Sequence, residues 1–188
     1  MTGLSVLRRA LGFAVVVITL QPQPAGGQVL LTQNEALRLA FPEPATIERR
    51  TAFLEQSQID RVADLAGSEP AGTLVTYYVG RSEDEPLGVA YFDVHRVRTL
   101  SEVLMIVVTP GGRVERVEIL RFSEPREYMA PGGWLDRFTG HYLDGDLENK
   151  GAVAGMTGAT LTSRAVTNSV RRTLALHEIL DPLQDGRP

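Results

Sequence analysis

The segment Gly155-Met156-Thr157-Gly158-Ala159-Thr160-Leu161-Thr162-Ser163 joins a polar loop to a long helical pattern that opens at Ser163. Its glycines allow close backbone approach, and its hydroxyl side chains arrive at a helix N-terminus, where unpaired amides and the helix dipole favour a phosphate group. The segment is not a P-loop, because no Gly-Lys-Ser/Thr follows, and it lacks the dinucleotide-binding GxGxxG fingerprint. It predicts a helix entry suited to phosphate, with a small-residue loop that only caps the helix as the alternative.

The helix that follows is predicted from about Arg164 to Leu180, where Asp181-Pro182 ends it. Either Thr162 or Ser163 is a candidate for its N-cap, a role that coexists with phosphate binding. At about 100° per residue the pattern is amphipathic. The apolar face holds Val166, Val170, Thr173, Leu174, His177 and Leu180, and the opposite face holds Arg164, Asn168, Arg171 and Glu178.

The middle of the chain is rich in β-strand patterns. Four strands are predicted, at 74–79, 87–94, 102–108 and 113–120. The sequence Thr109-Pro110-Gly111-Gly112 is a strong hairpin signal, and 81–86 is a charged turn. A mostly antiparallel meander with one solvated face follows from these patterns.

Helical signals lie on both sides of this β-rich region. Thr32-Gln33-Asn34-Glu35 is a capping box that starts a short helix ending near Ala40, and a second helix at 56–66 has Gly67 as its C-terminal cap. Between them, 45–54 is predicted as a strand; later, 131–138 is a short helix between an irregular loop at 122–128 and an acidic loop at 144–151. The fold class predicted is α+β: one domain with a mostly antiparallel sheet of four or more strands and helices packed on it.

Composition excludes several classes of function. The chain has 188 residues, a net charge of −4, 43% hydrophobic residues and no cysteine, so it has material for a core and no thiol chemistry. Without a long basic stripe, nucleic acid is not an expected partner. His95 and His141 lack metal-ligand spacing, and His177 is expected to pack in the core. No catalytic residues are indicated, and Arg96 and Arg98 favour a solvated strand end over a phosphate clamp.

The N-terminal residues resemble a secretory leader. Arg8 and Arg9 precede an apolar run at 10–20, and Ala25 and Gly27 provide small residues for cleavage before Gln28. The prediction is a signal peptide at 1–27, a domain at 28–180 and a tail at 181–188. A buried N-terminal helix and an uncleaved membrane tether are the alternatives.

The run Thr157-Gly158-Ala159-Thr160-Leu161-Thr162-Ser163, continued by Arg164-Ala165-Val166-Thr167-Asn168, resembles the flavinylation signature of FMN-binding domains. This family occurs in the C subunit of sodium-translocating NADH:quinone reductase and the G subunit of the Rnf complex. The resemblance extends over 87–176, because a hairpin, Ser123-Glu124-Pro125 and a Trp134-containing helix precede the signature in the family's order. It implies FMN as cofactor, joined to Thr160 through a phosphoester.

The resemblance also suggests which residues contact the flavin. Trp134 and Tyr128 are the preferred ring contacts among the aromatic residues, and the family has an acidic-proline loop near the flavin. The family's signature begins with Asp three residues before the Ser/Thr, where this chain has Ala154, which weighs against covalent attachment. The expected cofactor-binding residues are Thr160, Thr157, Gly158, Ala159, Leu161, Thr162, Ser163, Glu124 and Trp134, with no metal ligand.

The function expected from these features is extracytoplasmic electron transfer by an FMN-carrying protein that is periplasmic or secreted, with or without membrane association. Its expected partners are a redox protein or membrane electron-transport complex, and a flavin transferase for maturation. A flavin-dependent reductase of a small acceptor and a flavin-free binding or accessory module are the alternatives. An electron carrier is favoured over a stand-alone enzyme.

Overall fold

A six-stranded antiparallel sheet forms the centre of the structure. The computed structural model describes residues 28–144, 147, 156 and 158–184. In spatial order β1-β6-β5-β4-β3-β2, strands β2 to β6 form a meander and β1 pairs with β6 at one edge. The strands are β1 (Gln28–Val29), β2 (Thr46–Phe53), β3 (Leu74–Ser82), β4 (Glu85–Arg96), β5 (Ser101–Val108) and β6 (Val114–Phe122). The predicted single-domain α+β fold is confirmed.

The helices cover both faces of this sheet. The longest helix, α4, packs on one face together with α3, and α2 packs against α4, while α1 covers the opposite face. A single-turn 3-10 helix, Arg126–Tyr128, follows β6, and another, Asp136–Phe138, extends α3. The α-helices are α1 (Gln33–Ala40), α2 (Gln56–Ala66), α3 (Gly132–Leu135) and α4 (Thr160–Leu180).

Local sequence signals account for the first two helices. Thr32 and Glu35 make the predicted reciprocal capping box at the start of α1. Gly67 ends α2 in the left-handed conformation, with φ +71°, and its amide donates to the carbonyl of Ala63. Both predictions are therefore confirmed.

The side chains on the two faces of β5 pack in different parts of the core. Leu104 and Ile106 pack toward α3 and α4, whereas Met105 and Val107 pack toward α1. All four side chains are fully buried, which explains why 103–108 is an unbroken apolar run rather than an alternating one.

Contact between α1 and the sheet depends on a glycine. A Cβ atom placed on Gly80 would overlap the ring of Phe41, which is itself buried. A side chain at position 80 would therefore displace the Phe41 ring from the apolar cluster between α1 and the sheet.

The two edges of the sheet differ in length and charge. Strand β1 has only two residues, whereas β2 has eight and exposes Glu48 and Arg49. A short strand and a charged strand are both common ways in which natural sheets limit pairing with other chains.

The last helix departs from its prediction in two respects. It begins at Thr160, four residues before the predicted start at Arg164, with Ala159 as N-cap. The Arg171 side chain does not point away from the protein: its guanidinium donates to the carbonyls of Leu65, at 3.1 Å, and Ala66, at 3.4 Å. The periodicity of α4 alone does not reveal this contact with α2.

Several predicted features lie outside the described residues. These are the leader at 1–27, Ala154, Thr157, most of the acidic loop and the end of the tail. In the part of the chain that the structure describes, no helix combines the length and apolar character needed to cross a bilayer.

Candidate functional site

The site is built around the N-terminus of α4. The amide of Ser163 donates to the carbonyl of Ala159, at 3.0 Å, and so makes the first hydrogen bond of the helix. The amides of Thr160, Leu161 and Thr162 precede it and have no acceptor among the described residues. Thr160 and Leu161 are exposed, so amide donors and the positive end of the dipole of this helix lie at the surface.

The hydroxyl groups of this segment have different environments. Thr162 is 1% exposed and its Oγ1 donates to the carbonyl of Tyr128, at 2.6 Å. Ser163 is also buried, and its Oγ donates to the carbonyl of Thr160, at 3.0 Å. Neither is the N-cap, so that prediction is wrong. Among the described hydroxyls of the segment, only that of Thr160 belongs to an exposed residue.

A cleft of about 250 Å³ opens at this helix end. One wall is the segment 158–162, and the other is formed by Arg98 and Tyr128. The guanidinium carbon of Arg98 lies 4.7 Å from the centre of the Tyr128 ring, a cation–π contact. The cleft therefore brings together an exposed hydroxyl, unpaired amides, an aromatic ring and a cation.

Glu124 lies behind this cleft, where it binds a turn. The turn at 97–100 connects β4 to β5, and Glu124 Oε1 accepts hydrogen bonds from the amides of Thr99, at 2.7 Å, and Leu100, at 2.8 Å. The amide of Arg98 donates to the same oxygen at 3.3 Å. The hydrogen bonds from the amides of Leu100 and Thr99 lower the pKa of Glu124. The buried carboxylate is not part of the cleft lining.

Trp134 also lies away from the cleft lining. Its side chain is 5% exposed and packs edge-to-face against Phe138, with ring centres 5.2 Å apart. Of the two aromatic residues preferred from the sequence, Tyr128 lines the cleft and Trp134 lies in the main core.

A second polar cluster, which we call the buried ion network, consists of Asp93, His95, Glu102 and Arg172. His95 bridges Asp93, at 2.9 Å, and Glu102, at 3.0 Å, while Arg172 contacts both oxygens of Asp93, at 2.7 and 2.9 Å. The side chains are between 0 and 11% exposed. Ser169 adds a hydrogen bond to Asp93, at 2.7 Å.

This network shifts the ionisation of its members. Burial alone would lower the pKa of His95, but the hydrogen bonds to Asp93 and Glu102 and the charges of both carboxylates raise that pKa to about 9. Burial would raise the pKa of Asp93, but His95, Arg172 and Ser169 lower it to about 2. At neutral pH the His95 imidazolium and the Arg172 guanidinium therefore both face the Asp93 carboxylate.

Sequence reasoning misses these groupings for different reasons. The sequence favours a solvated strand end for Arg98, although this residue lines the cleft whereas Arg96 does not. The spacing of His95 argues only against a metal site, and no group of metal-ligating side chains occurs in the described ranges. The alternation of Asp93 and His95 on one strand face is the available signal, but their partner Arg172 is 79 residues from Asp93.

Comparisons with known proteins bear on the same region. Residues 101–175 match the model of a family described as FMN-binding domain. The G subunit of the Na(+)-translocating ferredoxin:NAD(+) oxidoreductase complex of Acetobacterium woodii is 24% identical over 160 residues, which cover 79% of this chain and 75% of that protein. No solved structure is significantly similar to the chain. The region that contains Tyr128 and the N-terminus of α4 is thus an FMN-binding domain, and FMN is its cofactor.

Proposed function

We propose that this protein is an electron-transfer flavoprotein that carries FMN esterified to Thr160. The observation that supports this most directly is the contrast within the signature segment. Thr160 is exposed at the first position of α4 and lines the cleft, whereas the hydroxyls of Thr162 and Ser163 are buried and donate to carbonyls.

The described residues fit a flavin phosphate at this position. Three amides at the start of a 21-residue helix have no acceptor among the described residues, and Arg98 lines the same cleft. Both are donors suited to a phosphate oxygen. The volume of about 250 Å³ is slightly below that of ordinary ligand pockets, which start near about 300 Å³. A cofactor held here would be partly exposed, as an electron carrier requires.

The chemistry of attachment leaves the flavin ring unchanged. Attachment would join Oγ1 of Thr160 to the phosphorus of a flavin dinucleotide, with loss of the hydroxyl proton and release of the nucleoside monophosphate. A flavin transferase is the partner that this step requires. When bound, FMN supplies reversible electron transfer, and the protein positions the cofactor and sets its surroundings.

The setting in which this protein acts is inferred from its relative and its leader. The relative's name places it in an oxidoreductase complex that acts on ferredoxin and NAD(+). By analogy, we infer that a redox protein or a membrane electron-transport complex exchanges electrons with the present chain. The basic and apolar residues of 1–27 favour export, so that the domain acts outside the cytoplasm.

Intact-protein mass spectrometry tests this proposal. The chain is co-expressed with a flavin transferase, and the purified protein is expected to show the added mass of one esterified FMN and a fluorescent band after denaturing electrophoresis. Thr160→Ala should remove both signals, whereas Thr160→Ser, which keeps a hydroxyl, should retain them. Wild-type protein without the added mass would overturn the ester, and a modified Thr160→Ala protein would assign it to another residue. The same spectrum reports whether 1–27 has been removed.

A further inference from the structure

The wall of the cleft opposite Thr160 contains a cation that the family match does not include. We propose that Arg98 is a further FMN-binding residue that contacts the phosphate group, and that Glu124 is the residue that positions it. This inference rests on the proposed function, because it takes the flavin phosphate to lie at the N-terminus of α4. Arg98 precedes the matched range of 101–175.

Within the described part of the chain, the Arg98 side chain makes no hydrogen bond. Its guanidinium lies over the Tyr128 ring, and no acceptor among the described residues takes a hydrogen bond from it. A guanidinium in a cation–π contact does not use its N–H donors on the ring, so they remain able to donate to a phosphate. Arg113 is a useful contrast: it lies 4.8 Å over the Tyr142 ring but already donates to the carbonyl of Gly140, at 2.8 Å.

Both walls of the cleft are connected through Tyr128. Its ring supports the Arg98 guanidinium, and its carbonyl accepts the hydrogen bond from Thr162 in the first turn of α4. Tyr128 therefore links the Arg98 side of the cleft to the N-terminus of α4, and both sides line the same cleft.

Glu124 determines where Arg98 lies. Its Oε1 atom accepts hydrogen bonds from three successive amides, those of Arg98, Thr99 and Leu100, and from the Thr99 hydroxyl. These bonds hold the turn at 97–100 from behind, since Glu124 is buried and Arg98 is exposed. The sequence predicts Glu124 as a direct flavin contact. In this arrangement it acts through the turn instead.

The phosphate is the part of FMN that this arrangement matches. It carries the permanent negative charge of the molecule, and a guanidinium fork fits its oxygens in geometry and charge. Riboflavin has the same ring and ribityl chain but no phosphate. The comparison of FMN with riboflavin therefore isolates the contribution of Arg98.

Equilibrium titration of the full chain provides the test. Thr160→Ala protein, which lacks the proposed attachment hydroxyl, is titrated with FMN and with riboflavin, and flavin fluorescence is followed. FMN is expected to bind more tightly than riboflavin. Adding Arg98→Gln should lower FMN affinity about 10-fold or more, the effect of losing a hydrogen bond to a charged group, and leave riboflavin affinity unchanged. Arg98→Lys should retain part of the preference.

Two further variants separate positioning from folding. Glu124→Ala should reduce the FMN preference without changing riboflavin affinity, and Glu124→Gln should restore part of it, because its amide oxygen still accepts from the turn. Arg113→Gln removes another guanidinium that lies over an aromatic ring, outside the cleft lining, and should leave both affinities unchanged.

The possible outcomes are distinguishable from those for the ester. Equal binding of FMN and riboflavin, no FMN binding, or an equal loss for both flavins in Arg98→Gln would overturn the role of Arg98. Unchanged FMN preference in Glu124→Ala would overturn the role of Glu124. If the protein gains mass on co-expression but shows no Arg98-dependent preference for FMN, the ester is supported and the role of Arg98 is rejected. If it gains no mass but prefers FMN in an Arg98-dependent way, the role of Arg98 is supported and the ester is rejected.

Discussion

The hairpin of β4 and β5 contributes residues to both the cleft and the buried ion network, and the charged groups of the two sites differ in their partners. His95 and Glu102 are cross-strand partners at the end of β4 and the start of β5, and Arg98 lies in the turn between them. His95 has a carboxylate on each ring nitrogen, whereas the Arg98 guanidinium donates to none of the described residues.

This difference follows from burial. A charge removed from water is costly unless other groups in the protein compensate it, so the buried ion network is nearly self-contained. Only Glu102 Oε1 and Arg172 Nε lack a partner among the described buried side chains. An exposed guanidinium keeps its hydration and remains available to a ligand. The network should therefore govern stability, and the cleft should govern binding.

Removing a member of the network should have the largest effect on stability. Asp93→Ala leaves Arg172 and His95 without their shared acceptor, which should lower the free energy of unfolding by about 3–5 kcal/mol. Urea denaturation measures the change. Asp64→Ala, at an exposed helical position, is the control and should change it by less than about 0.5 kcal/mol. A loss below about 1 kcal/mol for Asp93→Ala would contradict a stabilising network.

The pH dependence of stability should reveal the raised pKa of His95. Its pKa is about 9 in the folded protein and 6.5 in the unfolded reference, so its stabilising contribution is complete below pH 6.5 and disappears as pH rises through 9. The difference between these two pKa values corresponds to a contribution of about 3 kcal/mol to the free energy of unfolding. Denaturation between pH 6 and 10 should show a decline that is much shallower in His95→Gln. Parallel curves for the two proteins would contradict the raised pKa.

A smaller effect is expected where the helix meets the cleft wall. Thr162→Val removes the donor to the carbonyl of Tyr128 but keeps the shape of the side chain, which should cost about 1–2 kcal/mol. Thr162→Ser, which keeps the hydroxyl, should lose less. If thermal denaturation shows Thr162→Val to be as stable as the wild type, this hydrogen bond does not hold α4 to Tyr128.

Thr160→Ala should have the smallest effect on stability and the largest effect on flavin attachment. Thr160 is exposed and lies outside the buried core, so Thr160→Ala should alter the free energy of unfolding by less than about 0.5 kcal/mol. Its covalent flavin should nevertheless be absent by mass spectrometry. Strong destabilisation of Thr160→Ala would mean that the residue is structural and would remove the contrast with Thr162.

Features determined by neighbouring residues are predictable from the sequence. The capping box of Thr32 and Glu35 and the glycine cap at Gly67 depend on contacts within one helical turn, and both predictions are confirmed. The predicted start of α4 is wrong, because its N-cap is Ala159, which makes no side-chain capping bond and leaves no signal.

Features that depend on distant residues are not predictable in this way. Tyr128 and Thr162 are 34 residues apart and meet only because the 3-10 turn after β6 reaches the N-terminus of α4. The acidic-proline motif draws attention to Glu124, but the contacts of this residue are made with a turn 24 to 26 residues earlier in the chain. The spacing of apolar residues shows which face of a helix or strand is buried, but it does not show which loop lies next to that element.

The unequal edges of the sheet have a consequence for behaviour at high concentration. An electron carrier meets other proteins repeatedly, and an open strand edge would compete with the cleft for those encounters. The two residues of β1 offer little backbone for pairing, and Glu48 and Arg49 place charge along β2. The short strand and these charges weaken backbone pairing at the edges, although β2 also carries Phe53, which is 79% exposed. Strand pairing at either edge should therefore compete little with encounters at the N-terminus of α4, where the proposed flavin site lies.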